Sequence, residues 1–338
     1  MQKVTPAGFA EAVERAWTGA RHRPIFGWGP PGIGKTDLVN EVAGRLDVRV
    51  AEFRLGQLTP SDLRGMPVVD HDARVTRFYP PEELPRSGAG ILLLDEYPQA
   101  VPVMQGLAQQ LLLERRLGSY VLPPGWLVVG LGNRKQDRAS VFDMPSQVEN
   151  RFKHYLLQPD LEEWRTWAAG AGIHEHVIAF LSFRPELLHA YDPLERAWPS
   201  PRSWHAASED HALGGSIVSS VGDAAGREFE AYVRMHRTLP EIDALLAAAD
   251  SDTAFPEELS AAYAVTAALA LRSDTPERAA RALRWLGRRA TPEWLNLFMT
   301  LSAARFAARG LAVEFSVAVA EDPEARSTVS RLAKTLHA

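Results

Sequence analysis

The 338-residue chain has a net charge of −5 and is 46% apolar and 23% charged, the balance of an ordinary globular protein. That charge provides no global basic field to recruit nucleic acid or an anionic membrane. The sequence contains no cysteine, which excludes disulfides, thiolate metal sites and cysteine nucleophiles and makes a reducing cytoplasm the expected compartment.

From Met1 to Trp17 the pattern is that of an amphipathic helix, without the long apolar centre of a secretory leader. The longest apolar stretches, such as Ile91–Leu94 and Ala261–Leu271, fall short of the ~20 residues that span a bilayer. Short apolar runs at Pro24–Trp28, Val48–Phe53, Gly90–Asp95, Trp126–Gly132 and His154–Leu157 then alternate with helical patterns, as a parallel α/β sheet requires. A helix is expected over Val101–Leu117, and Val75–Tyr79 and Gly118–Leu122 read as hairpin arms beside the core.

The first of these runs leads into Gly29, Pro30, Pro31, Gly32, Ile33, Gly34, Lys35 and Thr36, a full G-x-x-x-x-G-K-S/T match that opens a helix over Thr36–Arg45. Strand, glycine loop and helix N-terminus together turn backbone N–H groups toward a phosphate. Lys35 is placed to reach β- and γ-phosphates, and the Thr36 hydroxyl to sit on Mg²⁺. Sixty residues after Lys35, the apolar run at Ile91–Leu94 ends in Asp95 and Glu96. Carboxylates at the C-terminal tip of a buried strand lie where α/β sheets bind ligands. Asp95 is expected to orient Mg²⁺ and Glu96 to act as general base on water. The run at Trp126–Gly132 ends in Asn133, an amide able to bond water or a γ-phosphate, although alone it reads as a turn residue.

After Gln158 the strand pattern gives way to helical periodicity, broken at Tyr191–Trp204, Gly214–Gly226 and Ser251–Pro256. His174 and His176 stand two apart, which on a helix puts them on different faces, and no His-Glu-x-x-His spacing occurs. No histidine metal site is expected there. Trp164 and Trp167 read as helical core, and Arg115-Arg116 as a solvated pair or one at a subunit boundary.

The order of these pieces is similar to that of the AAA+ ATPases: Walker A, Walker B with Asp95-Glu96, a sensor at Asn133, and an arginine finger at Arg151. A sensor arginine, Arg202, follows in the helical part. Within that superfamily the chain resembles the MoxR-like branch. The resemblance lies in Ser61–Gly65, Phe78–Pro81, Asn133-Arg134 and Asp143–Phe152, while Tyr97-Pro98 after the carboxylates departs from the commoner form. It implies a P-loop AAA+ core, a parallel five-stranded sheet in the order 5-1-4-3-2, over residues 1–158. The helical periodicity beyond it reads as an all-helical lid at 159–235 and a helical C-terminal block at 236–338, the latter a departure from the family's usual lid. The resemblance also implies ATP and Mg²⁺ as cofactors and a homo-oligomer, a hexameric ring in which Arg151 acts on the neighbouring subunit's nucleotide. Arg138 is a second trans candidate. The partner implied is a protein to be remodelled or activated, often one with a von Willebrand factor A domain. The other readings are a nucleic-acid-stimulated motor or loader, disfavoured by the acidic charge, and an ATP-gated scaffold with little turnover.

Overall fold

A computed structural model describes residues 1–19, 23–137, 141–235, 242–247 and 252–336. They form two compact units, Met1–Pro159 and Asp160–Ala338.

The first unit is built on strands β1 (Gln2–Val4), β2 (Ile25–Trp28), β3 (Arg49–Arg54), β6 (Ala89–Asp95), β9 (Gly125–Gly132) and β10 (Lys153–Leu157). They pair, all parallel, in the order β1-β10-β2-β9-β6-β3. Without β1 this is the expected 5-1-4-3-2 sheet. The sixth strand corrects the reading of the N-terminus: helix α1 covers Pro6–Thr18 only. It begins there because Pro6 supplies a preset first turn and the Thr5 hydroxyl accepts the Gly8 N–H at 3.2 Å. Gln2–Val4 is left to extend the sheet beside β10.

The central strands are buried on both faces, which explains their uninterrupted apolar character. Along β6 the side chains alternate. Leu92 and Leu94 join a core with Met104, Ala108 and Leu111 of helix α4 (Pro102–Glu114). Ile91 and Leu93 join the opposite core with Phe9 and Val13 of α1 and with Val39 and Val42 of helix α2 (Lys35–Arg45). Two antiparallel hairpins stand beside the sheet: β4 (Met66–Asp70) with β5 (Val75–Tyr79), after the short helix α3 (Pro60–Arg64), and β7 (Arg116–Leu117) with β8 (Tyr120–Val121). Helix α5 (Ser146–Glu149) precedes β10. Arg115 is not the solvated residue expected: at φ 55° it turns back and donates to the carbonyls of Pro123 and Trp126 at 2.7 and 2.9 Å.

The second unit is helical throughout its described residues: α6 (Leu161–Gly170), α7 (Glu175–Phe183), α8 (Pro201–Ala212), α9 (Val218–Val221), α10 (Asp223–Met235), α11 (Ile242–Ala247), α12 (Leu259–Arg272), α13 (Pro276–Gly287), α14 (Pro292–Ala308), α15 (Ala312–Glu321) and α16 (Pro323–Leu336). One apolar cluster runs through it from Trp164 to Leu332. Helix α12 is its axis. Alanine, valine and leucine cover nearly its whole circumference, so it is buried all round and neighbours α7 and α14 pack close. The break expected at Gly214–Gly226 is partly helical, since α9 and the start of α10 fall within it. Trp164 is core, but Trp167 is 44% exposed, at the margin of the buried face, with its ring 5.7 Å from that of His205. No helix among the described residues is long and apolar enough to cross a membrane.

Candidate functional site

The sheet register brings the glycine loop, Asp95-Glu96 and Asn133 to one end of the sheet. Trp28 pairs with Gly132 across β2 and β9, and Leu94 with Gly130 across β6 and β9, so three chains leave the sheet at one end. Gly29 N–H donates to the Gly132 carbonyl at 3.2 Å, holding the mouth of the glycine loop against the turn that carries Asn133. Asp95 and Glu96 leave from the adjacent strand tip.

The loop enters α2 through Gly34, which lies at φ 81°, ψ 25° in the left-handed region. A β-carbon there would be strained by the backbone rather than by neighbours, since only an Asp37 carboxylate oxygen lies within reach, at 3.9 Å. The turn delivers the start of α2, the positive end of the helix, to the glycine loop.

Lys35 Nζ donates to the carbonyls of Gly29 and Pro30 at 3.0 and 2.9 Å and to Asn133 Oδ1 at 2.9 Å. The ammonium is thus held over the loop by neutral oxygens. Thr36 Oγ1 donates to Asp95 Oδ2 at 2.7 Å, and the other Asp95 oxygen accepts the Glu96 N–H at 2.8 Å. The backbone then kinks: Glu96 lies at φ 54°, ψ 31°. This turn separates the two adjacent carboxylates. Asp95 faces the loop, while Glu96 Oε2 lies beside Gly56 and accepts weakly from Gln57 Nε2 at 3.4 Å. A hydroxyl beside a carboxylate is a donor set of hard oxygens, the kind Mg²⁺ takes while keeping its waters. The glycine loop, a cation over it and this oxygen pair fit a nucleoside triphosphate carrying Mg²⁺.

The remaining predicted residues lie outside this cluster of contacts. Arg151 follows α5 and is exposed, with no ion pair among the described residues. Glu149, two residues earlier, forms no ion pair with it. Arg134 is not free: it donates to both oxygens of buried Asp137, at 3.0 and 2.7 Å, and so braces the turn after Asn133. Arg138 lies outside the described residues. Arg202, in the second unit, occupies the first turn of α8 with its side chain exposed. That helix is fixed by Ser200, whose hydroxyl accepts the Ser203 N–H at 3.1 Å. The break expected over Tyr191–Trp204 therefore ends at Ser200.

Sequence reasoning missed Gln57 and His154. Gln57 is brought to Glu96 by the pairing of β3 with β6, for which no local motif exists. His154 accepts the Trp28 indole N–H at Nδ1, 2.9 Å away, and its Nε2 is 2.8 Å from the Glu149 carbonyl. Both ring nitrogens are thereby used to lock the strand before the loop to the segment carrying Arg151. His154 and Glu149 border a cavity of about 580 Å³ with Trp28, Pro98, Phe142 and Asn150 on its wall, which no residue of the glycine loop lines.

Residues 25–156 match the family model described as "ATPase family associated with various cellular activities (AAA)". No curated protein matches the chain. Among solved structures the chain is similar to NtrX from Brucella abortus in complex with ADP, at 15% identity over 97% of this chain and 67% of that one, with a TM-score of 0.35. It is also similar to a point mutant of RuvB from Thermotoga maritima, at 16% identity over 80% of this chain and 92% of that one, with a TM-score of 0.40. The fold is that of an AAA+ P-loop domain followed by a helical region.

Proposed function

We propose that the chain is a Mg²⁺-dependent ATPase of MoxR type that works as a homo-oligomeric ring, hexameric by resemblance, and spends ATP turnover on remodelling or activating a partner protein in the cytoplasm. The observation that carries the ATPase reading is the convergence of Lys35 with Asn133 and of Thr36 with Asp95 at one end of the sheet.

In this reading Lys35 exchanges its carbonyl acceptors for β- and γ-phosphate oxygens, and the glycine-loop amides bind the same group. Thr36 and Asp95 would hold Mg²⁺, which would neutralise charge on the phosphates. Glu96 takes the proton of the attacking water as its oxygen bonds to the γ-phosphorus and the β–γ bridging bond breaks to ADP. Asn133 orients that water or the γ-phosphate. Arg151 supplies charge to a neighbouring subunit's nucleotide, for which its exposure and the lack of an ion pair among the described residues suit it. Arg202 is assigned a sensor role from the helical unit.

The partner reading draws support from the β4–β5 hairpin, where Met66, Val68, Val75 and Tyr79 share one face and are 63, 41, 48 and 61% exposed. A ridge of exposed apolar side chains on a short two-stranded arm suits contact with another protein. A protein with a von Willebrand factor A domain is the first partner to test, on the strength of the resemblance alone.

Steady-state ATP hydrolysis measured against protein concentration, for wild type and Arg151→Ala, tests the shared site. Specific activity is expected to rise with concentration. The variant should bind ATP normally and turn over at least ~100-fold more slowly. Activity independent of concentration and indifferent to Arg151 would overturn the ring reading while leaving ATP binding intact.

A further inference from the structure

The two-apart spacing of His174 and His176 argues against a metal site only if both residues lie within a helix. They do not. His174 is the N-cap of α7, with φ −59° and ψ 137°, and its Nδ1 accepts the His176 N–H at 3.1 Å. The extended backbone at 174 swings its ring alongside that of His176, the centroids 4.7 Å apart. A third ring arrives from the last turn of α8: His211 Nε2 lies 2.9 Å from His176 Nδ1, and its centroid lies 4.6 Å from that of His174.

We infer that His174, His176 and His211 form a three-imidazole site for a divalent transition ion of zinc type. One nitrogen from each ring lies within 4.8 Å of the others. Nitrogens bound at about 2.0–2.1 Å in tetrahedral geometry stand roughly 3.3 Å apart, so the ligand atoms need move little to close on an ion. The His176–His211 contact holds one hydrogen between two ring nitrogens. An ion takes its place once the donating ring shifts that hydrogen to its other nitrogen. His174 joins by giving up its cap bond at Nδ1 or its hydrogen at Nε2.

Further observations favour a ligand over a merely packed cluster. Histidine is not among the residues that cap helices best, so a cap alone is a weak reason for it at 174. The His174 N–H donates to the buried Ser208 hydroxyl at 2.8 Å, which ties the start of α7 to α8 and preorganises the rings. The neighbouring carboxylate of Glu175 is engaged by Arg272, leaving the imidazoles as the available donors. All three residues keep partial solvent access, so a fourth position is open to water, as in zinc sites with three protein ligands.

The test is Zn²⁺ titration of the full, nucleotide-free chain by calorimetry, with thermal unfolding followed in parallel. One Zn²⁺ per chain is expected, with the helical unit's transition raised by about 5–10 °C at a hundredfold excess over Kd. His176→Ala and His211→Ala should each weaken binding at least ~100-fold, while His205→Ala, an exposed histidine on the same helix, should leave it unchanged. His211→Gln, which preserves bulk, guards against a variant that fails to fold. Wild-type affinity no greater than that of His211→Gln, or equal losses from His205→Ala, would overturn the assignment.

Discussion

Gly65 closes the motif Ser61–Gly65, and the structure gives a steric reason for glycine there. It ends α3 at φ 88°, ψ −178°, its N–H bonded to the Ser61 carbonyl at 2.8 Å. That conformation is essentially restricted to glycine and costs another residue about 1–3 kcal/mol. A β-carbon would also fall 1.8 Å from the Tyr79 carbonyl oxygen and 2.9 Å from Pro80 Cα, both main chain, so the base of the β4–β5 hairpin must move. Forced displacement of this kind adds about 1–3 kcal/mol. Gly65→Ala is therefore expected to destabilise the first unit by about 2–6 kcal/mol, a fall in melting temperature of roughly 5–20 °C for a unit of this size. Gly88→Ala is the matched control. It also has a positive φ, 74°, but no atom lies within 4 Å of its added carbon, so only about 1–2 kcal/mol of backbone strain applies. Thermal unfolding read by circular dichroism, with and without ADP to mark the nucleotide-binding unit's transition, separates the two. Equal melting shifts for the two variants would refute the steric argument.

Lys35→Ala removes the only ammonium over the glycine loop that the described contacts show, and calorimetry should find ATP affinity at least ~100-fold weaker, the value of one or two charge-assisted bonds. Its melting should change little, since the bonds lost are to carbonyls at the edge of the fold. Ser200→Ala deletes the α8 cap and should cost the second unit about 1 kcal/mol, a drop of roughly 2–4 °C measured by differential scanning calorimetry, with ATP affinity unaffected.

The central strands β2, β6 and β9 are legible in sequence because burial on both faces demands unbroken apolar runs, and Ile91–Leu94 and Leu127–Leu131 meet that demand. Strand β1 escapes because it lies at the sheet edge: Gln2 and Lys3 are exposed, so nothing in their chemistry betrays pairing with β10. The glycine loop and the Asp95-Glu96 pair are legible because their chemistry needs fixed residue types at fixed local spacing. Gln57, His154 and the histidine trio are not, since each depends on a partner far along the chain: 39 residues for Gln57 with Glu96, 126 for His154 with Trp28 and 35 for His176 with His211. A periodicity rule fails for His174 for a further reason. It assumes helical backbone, and the cap position is the residue where that assumption ends.

Glu96 carries both the proposed chemistry and a local strain, and the two can be measured apart. A non-glycine residue in the left-handed region costs about 1–2 kcal/mol. Here that conformation is held by the Asp95 carboxylate accepting the Glu96 N–H and by the following tight turn at Tyr97–Gln99. The kink is what points Asp95 and Glu96 in different directions, so the strain belongs to the arrangement that the catalytic reading requires. Glu96→Ala and Glu96→Gly both delete the carboxylate, and each should lower turnover at least ~100-fold with ATP binding retained. Their stabilities should differ with an unusual sign. In a helix or strand, glycine is less stable than alanine by about 0.5–1 kcal/mol because its unfolded chain is freer. At φ 54° the relief of strain offsets that entropy, so Glu96→Gly should equal or exceed Glu96→Ala in stability by up to about 1 kcal/mol. Urea titrations of the two variants read the difference directly. If Glu96→Ala proves the more stable by the ordinary margin, the backbone at this position is not left-handed in solution. The separation of the two carboxylates would then need another cause.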